Sequence, residues 1–332
     1  MARKKIGLAL GGGVAKGLAH IGVVRALLQL GVPIDCVAGT SSGSLVGALV
    51  AAAISPTEIE AIAKATRWRD IVKPIIPRLG FLDAGRLELL LNRILSDRRI
   101  EDLAMPFAAV ATDIETGKAV ILRQGPLARS VRASCSVPGF FTPVEIDGRL
   151  LVDGGVVNNV PVDVARSLGA DLVIAVDLSG NIDATPFNRH IFGVLLRSYE
   201  IMLHEKRALE AKGADVLIRP RVERLGLVNL EATDAYIKAG YEAAMAQQGP
   251  LADLMEEARP RSVLSYANPW NWLPRKAVGS PAVGPSSGPA VGPSSGPSSG
   301  TSSGPTAGPA AGSPAGPPAG PPVGPPAGPP AR

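Results

Sequence analysis

Five consecutive residues, Gly39-Thr40-Ser41-Ser42-Gly43, combine a residue type and a spacing that suit nucleophilic chemistry. They match the G-x-S-x-G pattern, in which a serine lies on a sharp turn between a strand and a helix and projects its hydroxyl. Residues 33–38 suit a buried strand and residues 45–53 suit a buried helix, so the flanking sequence agrees with that geometry. Ser41 is therefore a candidate nucleophile for acyl transfer.

The two glycines of this pattern have a steric reason. A strand that turns at once into a helix brings backbone segments together, and a side chain at Gly39 or Gly43 would collide with them. The helix N-terminus behind the turn offers free N–H groups to an anion. The N–H of Ser42 is therefore a candidate donor to an oxyanion.

A second glycine cluster, Gly11-Gly12-Gly13, lies between a predicted strand at residues 5–10 and a predicted helix at residues 18–30. Its bare N–H groups could stabilise an oxyanion, because no side chain blocks the approach of a substrate carbonyl. The order strand, helix, strand at the start of the chain favours an α/β fold with a parallel sheet and helices on its faces.

A proton acceptor for Ser41 is less obvious, because the chain has only three histidines. His20 begins a predicted helix and shares its apolar face, which is typical of a core residue. His190 and His204 lie in what we interpret as a polar helical region, and we expect them at the surface.

Asp153 is the better candidate for the base. It ends a predicted apolar strand at residues 150–153, and the glycines Gly154 and Gly155 that follow allow a neighbouring loop to come close. An aspartate before glycine is also common in ordinary turns, so the residues around Asp153 leave both interpretations open.

The three motifs occur together and in one order, and in this they closely resemble the patatin-like phospholipases, especially the short bacterial members. The combination is specific, although no single motif is. The resemblance extends over roughly residues 5–245. The segments that carry it are Gly11-Gly12-Gly13 with Lys16-Gly17, the five residues around Ser41, Asp153-Gly154-Gly155, residues 132–140 and residues 157–163.

The resemblance implies a three-layer α/β sandwich with a mostly parallel sheet. It also implies a Ser–Asp dyad without histidine, in which Ser41 is the nucleophile and Asp153 the base. The N–H groups of Gly12 and Gly13, helped by Ser42, would form the oxyanion hole. The implied reaction is hydrolysis of a phospholipid or lysophospholipid acyl ester through an acyl-enzyme, with no cofactor or metal.

One spacing departs from many members of that family, because an additional residue separates Gly13 from Gly17. Which of the loop N–H groups, including that of Gly11, points at the oxyanion is therefore open by one residue.

Three other interpretations remain at this point. The order Ser41, Asp153, then His190 or His204 fits a histidine triad on an α/β-hydrolase fold, although the elbow follows only two strands. The first glycine loop and Asp35 resemble a dinucleotide-binding fingerprint, but the glycine spacing differs by one residue. A non-catalytic relative that binds lipid or a partner protein is the third.

Beyond these motifs, the pattern predicts further elements. Strands are expected at residues 106–113, 118–123, 171–178 and 214–218, and helices from residue 55 and at residues 83–95, 127–134, 161–168, 194–211 and 231–247.

The composition divides the chain into three parts. Residues 1–260 form one predicted hydrolase domain. Residues 261–278 contain Trp270 and Trp272 beside basic residues, which indicates either an end segment packed on the domain or an interfacial anchor at a membrane. In residues 279–332, glycine recurs at every fourth position from Gly284 to Gly328, which excludes a collagen helix and, without large apolar residues, predicts a disordered tail.

Net charge, cysteine content and hydropathy limit the binding partners and the cellular location that we expect. The net charge of +5 is spread along the chain and is not clustered with aromatics, so we do not expect a nucleic-acid partner. We expect Cys36 and Cys135 to be core thiols rather than a disulfide or metal ligands. No apolar run is long enough to span a bilayer and no convincing signal peptide is present. The expected location is the cytoplasm, with peripheral membrane contact.

The tail yields a first prediction. Truncation after Ala277 should leave esterase activity on a short-chain p-nitrophenyl ester within about twofold of the full chain, because the tail lacks residues that could form a core or a site. The comparison is made on proteins matched for circular dichroism. A folded, truncated protein that has lost most of its turnover would show that the tail acts directly.

Overall fold

The computed structural model describes residues 2–260, apart from residues 181–183, 185, 186, 188 and 227. The segment with Trp270 and Trp272 and the predicted tail lie outside the described residues. The helices are α1 (Ala19–Gln29), α2 (Ser42–Ala51), α3 (Pro56–Ala65), α4 (Trp68–Ile71), α5 (Gly85–Leu95), α6 (Leu127–Ser134), α7 (Val162–Ser167), α8 (Ile191–Glu210), α9 (Thr233–Met245) and α10 (Gln248–Ala258).

A large sheet forms the centre of the molecule, in the strand order β11-β10-β1-β2-β5-β9-β8, and β6 also pairs with β5. Strands β1, β2, β5, β10 and β11 run parallel, whereas β6, β8 and β9 pair in antiparallel fashion. The strands of this sheet are β1 (Ile6–Leu10), β2 (Cys36–Thr40), β5 (Phe107–Asp113), β6 (Lys118–Leu122), β8 (Val144–Ile146), β9 (Arg149–Asp153), β10 (Leu172–Val176) and β11 (Val216–Ile218).

The parallel strands are buried on both faces, and their side chains alternate between two hydrophobic cores. In β1, Leu8 and Leu10 join the larger core, which also contains residues of α1, α2, α5 and α9. Ala9 points the other way, into a smaller core that contains residues of α7. This alternation follows from the two-residue period of a strand. The predicted α/β fold with a mostly parallel sheet and helices on both faces is confirmed.

The register of the sheet brings the predicted nucleophile and base to the same level. Thr40, the residue before Ser41, pairs with Val110 of β5. On the other side of β5, Asp153 pairs with the next residue, Ala111. Because β9 runs antiparallel to β5, its last residue arrives at the edge where β2 ends. Residues 41 and 153 therefore flank one strand.

The sequence prediction missed a second, three-stranded sheet of β3 (Lys73–Pro74), β4 (Gly80–Asp83) and β7 (Gly139–Phe141). The helix predicted from residue 83 begins at Gly85, because Asp83 belongs to β4. Strands this short are stabilised by a partner that is distant in sequence, so local patterns do not reveal them.

One predicted helix start, and one that the sequence analysis missed, can be compared with the structure. The helix predicted from Ser55 has the expected capping box, in which Ser55 and Glu58 each bind the other's backbone N–H. Helix α10 was not predicted, because Gly249 and Pro250 in its first turn resemble a break. Proline is tolerated there, since the first N–H groups of a helix have no intrahelical partner.

Helices α1 and α9 approach so closely that two glycines are required. A Cβ at Gly22 would overlap the carbonyl oxygen of Ile237, and one at Gly240 would overlap that of Ala19. Gly22→Ala or Gly240→Ala should therefore lower the free energy of unfolding by about 1–3 kcal/mol through overpacking. Urea denaturation followed by circular dichroism measures the change.

The matched control is Gly249→Ala in α10, where no atom lies within 4 Å of the added methyl. It should be neutral or slightly stabilising, since alanine favours the helix over glycine. Equal effects at Gly22 and Gly249 would mean that the α1–α9 contact is not tight.

Candidate active site

Ser41 lies between β2 and α2 in a strained backbone conformation. Its φ of 54° and ψ of −127° are unusual for a residue with a side chain. The turn is held in place on both sides of the residue. The N–H of Ser41 donates to the Ser134 hydroxyl at 2.9 Å, and that hydroxyl donates to the Val110 carbonyl at 2.6 Å. Ser44 donates from its N–H and its hydroxyl to the Ser41 carbonyl.

The glycines around Ser41 have the steric role that the sequence indicated. A Cβ at Gly39 would lie 2.5 Å from the carbonyl oxygen of Gly43, and one at Gly43 would overlap the carbonyl oxygen of Leu10. Gly17 lies directly against the Ser42 side chain. Strand β1, the elbow and the start of α2 are thus in backbone contact.

The glycine loop lies beside this elbow, and its N–H groups differ in availability. Gly11 donates to the Val176 carbonyl at 3.0 Å, and Gly12 donates to the Asn159 carbonyl at 3.2 Å. Among the described residues the N–H of Gly13 has no acceptor. The position that a Cβ would take at Gly12 is 3.0 Å from the Cβ of Ser41, so the loop lies against the serine.

Asp153 is buried, with 1% of its surface exposed. Its Oδ1 accepts a hydrogen bond from the N–H of Gly155 at 2.7 Å and a longer one from the Tyr199 hydroxyl at 3.4 Å. Its Oδ2 has no hydrogen-bond partner among the described residues. Gly154 contributes by its small size, since a Cβ there would overlap the Val110 carbonyl.

Burial raises the pKa of the Asp153 carboxyl to about 6, because the charged form has lost its water. Four neighbouring groups lower this pKa and so oppose the effect of burial. They are the Ser41 hydroxyl, the Gly155 N–H, the Tyr199 hydroxyl and the Arg207 charge. The Ser41 hydroxyl is thus near enough to affect Asp153, although Oδ2 accepts no hydrogen bond among the described residues. The carboxylate is a stronger base than an aspartate in water.

Helix α8 covers this carboxylate with polar side chains that the sequence analysis did not identify. Glu200 forms a buried ion pair with Lys16 at 2.8 Å, which ties α8 to the segment after the glycine loop. Arg207 is 6% exposed and its Nε has no hydrogen-bond partner among the described residues. Glu210 accepts the N–H groups of Asn159 and Val160, both at 2.9 Å.

The three histidines lie in different surroundings. His20 is fully buried, and its Nε2 is 2.7 Å from the Gly11 carbonyl, to which it donates as the neutral Nε2–H tautomer. Burial lowers the pKa of His20 to about 4, so it remains neutral near pH 7. His190 and His204 are exposed on α8, but the helical region around them is not polar as we predicted, because its outward face is apolar.

Two cavities meet at Ser41. An apolar one of about 170 Å³ extends away from the serine between α2, α3 and α5. A smaller one of about 20 Å³ is lined by residues that include Ser41, Asp153, Gly13, Tyr199 and Arg207. The site therefore has an apolar pocket on one side of the nucleophile and the buried carboxylate on the other.

Three further expectations concern the cysteines, metal binding and membrane-spanning helices. Cys36 and Cys135 are both free thiols. Within residues 2–260, excluding the gaps named above, no group of three or more acidic, histidine or cysteine side chains could hold a metal ion. No helix in that part of the chain combines the length and hydropathy needed to cross a bilayer.

The fold and the site define an α/β protein with a serine at a strand–helix elbow and a buried aspartate beside it. Residues 8–166 match the family model described as patatin-like phospholipase. The match assigns this segment to the patatin-like phospholipase family.

Relatives with similar sequences agree with this assignment. Patatin-like phospholipase domain-containing protein 7 of Rattus norvegicus is 35% identical over 265 residues, which are 77% of this chain and 18% of that protein. An uncharacterized NTE family protein of Mycobacterium bovis is 41% identical over 180 residues, 53% of this chain and 50% of that one. The chain spans half or less of the length of these relatives.

Among solved structures, the chain is similar to that of VipD from Legionella pneumophila. The TM-score is 0.46 at 16% sequence identity, and the match covers 76% of this chain and 67% of that chain.

The pKa of Asp153 yields a prediction about pH. If the carboxylate accepts the serine proton, kcat/KM for a short-chain ester should fall about tenfold for each pH unit below about 6, as Asp153 becomes protonated. Tyr199→Phe removes a donor to the carboxylate and should move this limb to higher pH. A rate that stays constant from about pH 7 to about pH 5 would contradict the assignment of the base.

Proposed function

We propose that this chain hydrolyses acyl esters of phospholipids or lysophospholipids through a Ser41–Asp153 dyad. The observation that carries the proposal is the position of Ser41 at the junction of an apolar cavity and a buried aspartate with one unpartnered oxygen. A fatty-acyl chain suits the apolar cavity, because its burial removes hydrocarbon surface from water. The ester carbonyl would then lie at the serine.

In the first half of the reaction, the Ser41 hydroxyl gives its proton to Oδ2 of Asp153 while Oγ attacks the ester carbonyl carbon. The carbonyl oxygen becomes an oxyanion. The N–H groups of Gly13 and Ser42 are the donors that we assign to it, because the N–H groups of Gly11 and Gly12 are occupied by carbonyl acceptors. The ester C–O bond then breaks, and Asp153 returns the proton to the leaving alcohol oxygen.

The second half releases the fatty acid. A volume of about 20 Å³ beside Asp153 can hold one water molecule. Asp153 takes a proton from this water as its oxygen attacks the acyl-enzyme carbonyl. Collapse of the tetrahedral intermediate breaks the acyl–Oγ bond, and Asp153 returns the proton to Ser41.

A histidine triad receives less support from the same geometry. The Nε2 of His20 is engaged with the Gly11 carbonyl, and its low pKa makes it a weak base. We assign His20 a positioning role instead, since its hydrogen bond holds the first residue of the glycine loop. His190 and His204 are exposed on α8.

The proposal is tested by comparing active-site and histidine variants. A fluorophosphonate probe should label Ser41, and Ser41→Ala should lose both labelling and turnover of a short-chain ester. Asp153→Asn should lose about 10²–10⁴-fold in kcat, because the amide keeps the shape but cannot accept a proton. His190→Ala and His204→Ala should stay within about tenfold of the original rate.

Circular dichroism and thermal melting serve as the control for folding in each variant. Labelling at another residue, or substantial turnover by folded Ser41→Ala, would overturn the nucleophile assignment. A histidine variant that is as damaged as Asp153→Asn while remaining folded would replace the dyad with a triad.

A further inference from the structure

Helix α8 directs several polar side chains inward, beside the buried Leu203, and several apolar ones outward. The face toward the active site is polar, because Tyr199 contacts Asp153, Glu200 pairs with Lys16, and Arg207 is buried. The outward face from Ile191 to Met202 is apolar, and Met202 itself is 75% exposed. Exposed apolar residues follow helical spacing there, so they form a stripe along the helix that the exposed Ser198 interrupts.

A neighbouring hairpin enlarges this stripe. The turn between β3 and β4 exposes Ile76 and Leu79, at 86% and 63% of their surface. The hairpin is attached to α8 through Phe81, whose ring meets that of Phe192 edge to face at 5.2 Å between centroids. We call Ile76, Leu79 and the outward residues of α8 from Ile191 to Met202 the α8 face. Contiguous exposed apolar surface of this kind marks an interaction site.

The charges around the α8 face are basic. Residues 73–81 contain Lys73 and Arg78 and no acidic residue, and residues 189–202 contain Arg189 and Arg197. The one acidic residue in the second segment is Glu200, whose buried side chain pairs with Lys16 and, at 3.7 Å, with Arg197. Lys73 pairs with Asp83 just beyond the first segment. The basic charge at this face therefore comes from Arg78 and Arg189. An apolar face with a basic surround complements an anionic phospholipid surface, where apolar side chains enter the headgroup boundary and cations meet lipid phosphates.

We propose that the α8 face docks the protein onto the surface of an anionic phospholipid bilayer. The inference rests on the proposed lipid substrate, but it concerns a different surface from the site itself. A second copy of the chain fits this face less well, since a two-fold contact would bring identical basic residues together.

The same helix connects the docking face to the chemistry. Its outward residues would lie in the headgroup layer while Tyr199, on its inward side, contacts Asp153. Docking would therefore place Asp153 about one helix diameter, roughly 10 Å, from the lipid.

Vesicle sedimentation of the full chain tests the proposal. The protein with Ser41→Ala, which does not consume lipid, should sediment with vesicles of equal parts phosphatidylcholine and phosphatidylglycerol, and more weakly with phosphatidylcholine alone. Adding Ile191→Ser, Leu195→Ser and Met202→Ser should lower the vesicle affinity by about tenfold or more, since three apolar contacts are lost.

The matched control replaces three exposed apolar residues on other elements, Leu28→Ser, Leu89→Ser and Ile114→Ser, and should sediment like the parent. Equal binding by the two triple variants, or no binding by the parent, would overturn the proposal. So would a dimer in analytical ultracentrifugation that only the α8 variant dissociates without any vesicle binding, because a second copy would then cover the face.

A separate readout distinguishes this proposal from the proposed function. With Ser41 intact, the α8 triple variant should hydrolyse a short-chain soluble ester at the parental rate and lose activity only on vesicles. Absence of ester hydrolysis in the parent would refute the proposed function and leave the sedimentation result standing.

Discussion

The close contact of three backbone segments at Ser41 is the constraint on which the site depends. Strand β1, strand β2 and the start of α2 touch through Gly39 and Gly43, and no side chain fits between them. This contact holds Ser41 at a positive φ, which costs roughly 1–3 kcal/mol and persists only because the surroundings fix it. The hydrogen bond from Ser41 through Ser134 to Val110 extends the constraint to the next strand.

The second requirement of the proposed dyad is a carboxylate that is basic enough to act without histidine. Asp153 is shielded from bulk water by β5, by Gly154 and Gly155, and by α8. Desolvation alone would disfavour the charge, so donors and a cation from α8 and the backbone moderate its effect. The polar inward face of α8 is the consequence, because a helix that covers a buried charge must supply partners for it.

The Lys16–Glu200 pair links these two parts of the site. Both side chains are nearly buried, and loss of Glu200 would leave the Lys16 charge uncompensated at a cost of about 3–5 kcal/mol. The pair joins the segment that follows the glycine loop to the helix that covers the base. The positions of the proposed oxyanion donors and of the carboxylate are therefore coupled through this pair.

The sequence by itself determined the features that depend on neighbouring residues. The turn at Ser41 needs small residues two positions away, and the capping box at Ser55 needs a glutamate three positions later, so both patterns are visible locally. The fold class followed from the alternation of apolar strands and amphipathic helices. The tertiary structure alone decided which oxygen of Asp153 is free, which glycine N–H lacks an acceptor and which face of α8 is buried. Tyr199, Glu200 and Arg207 could not be identified beforehand, because Asp153 and Lys16 lie about 50 to 180 positions away and helical periodicity assigns apolar residues to the core. In α8 the buried charge reverses that assignment.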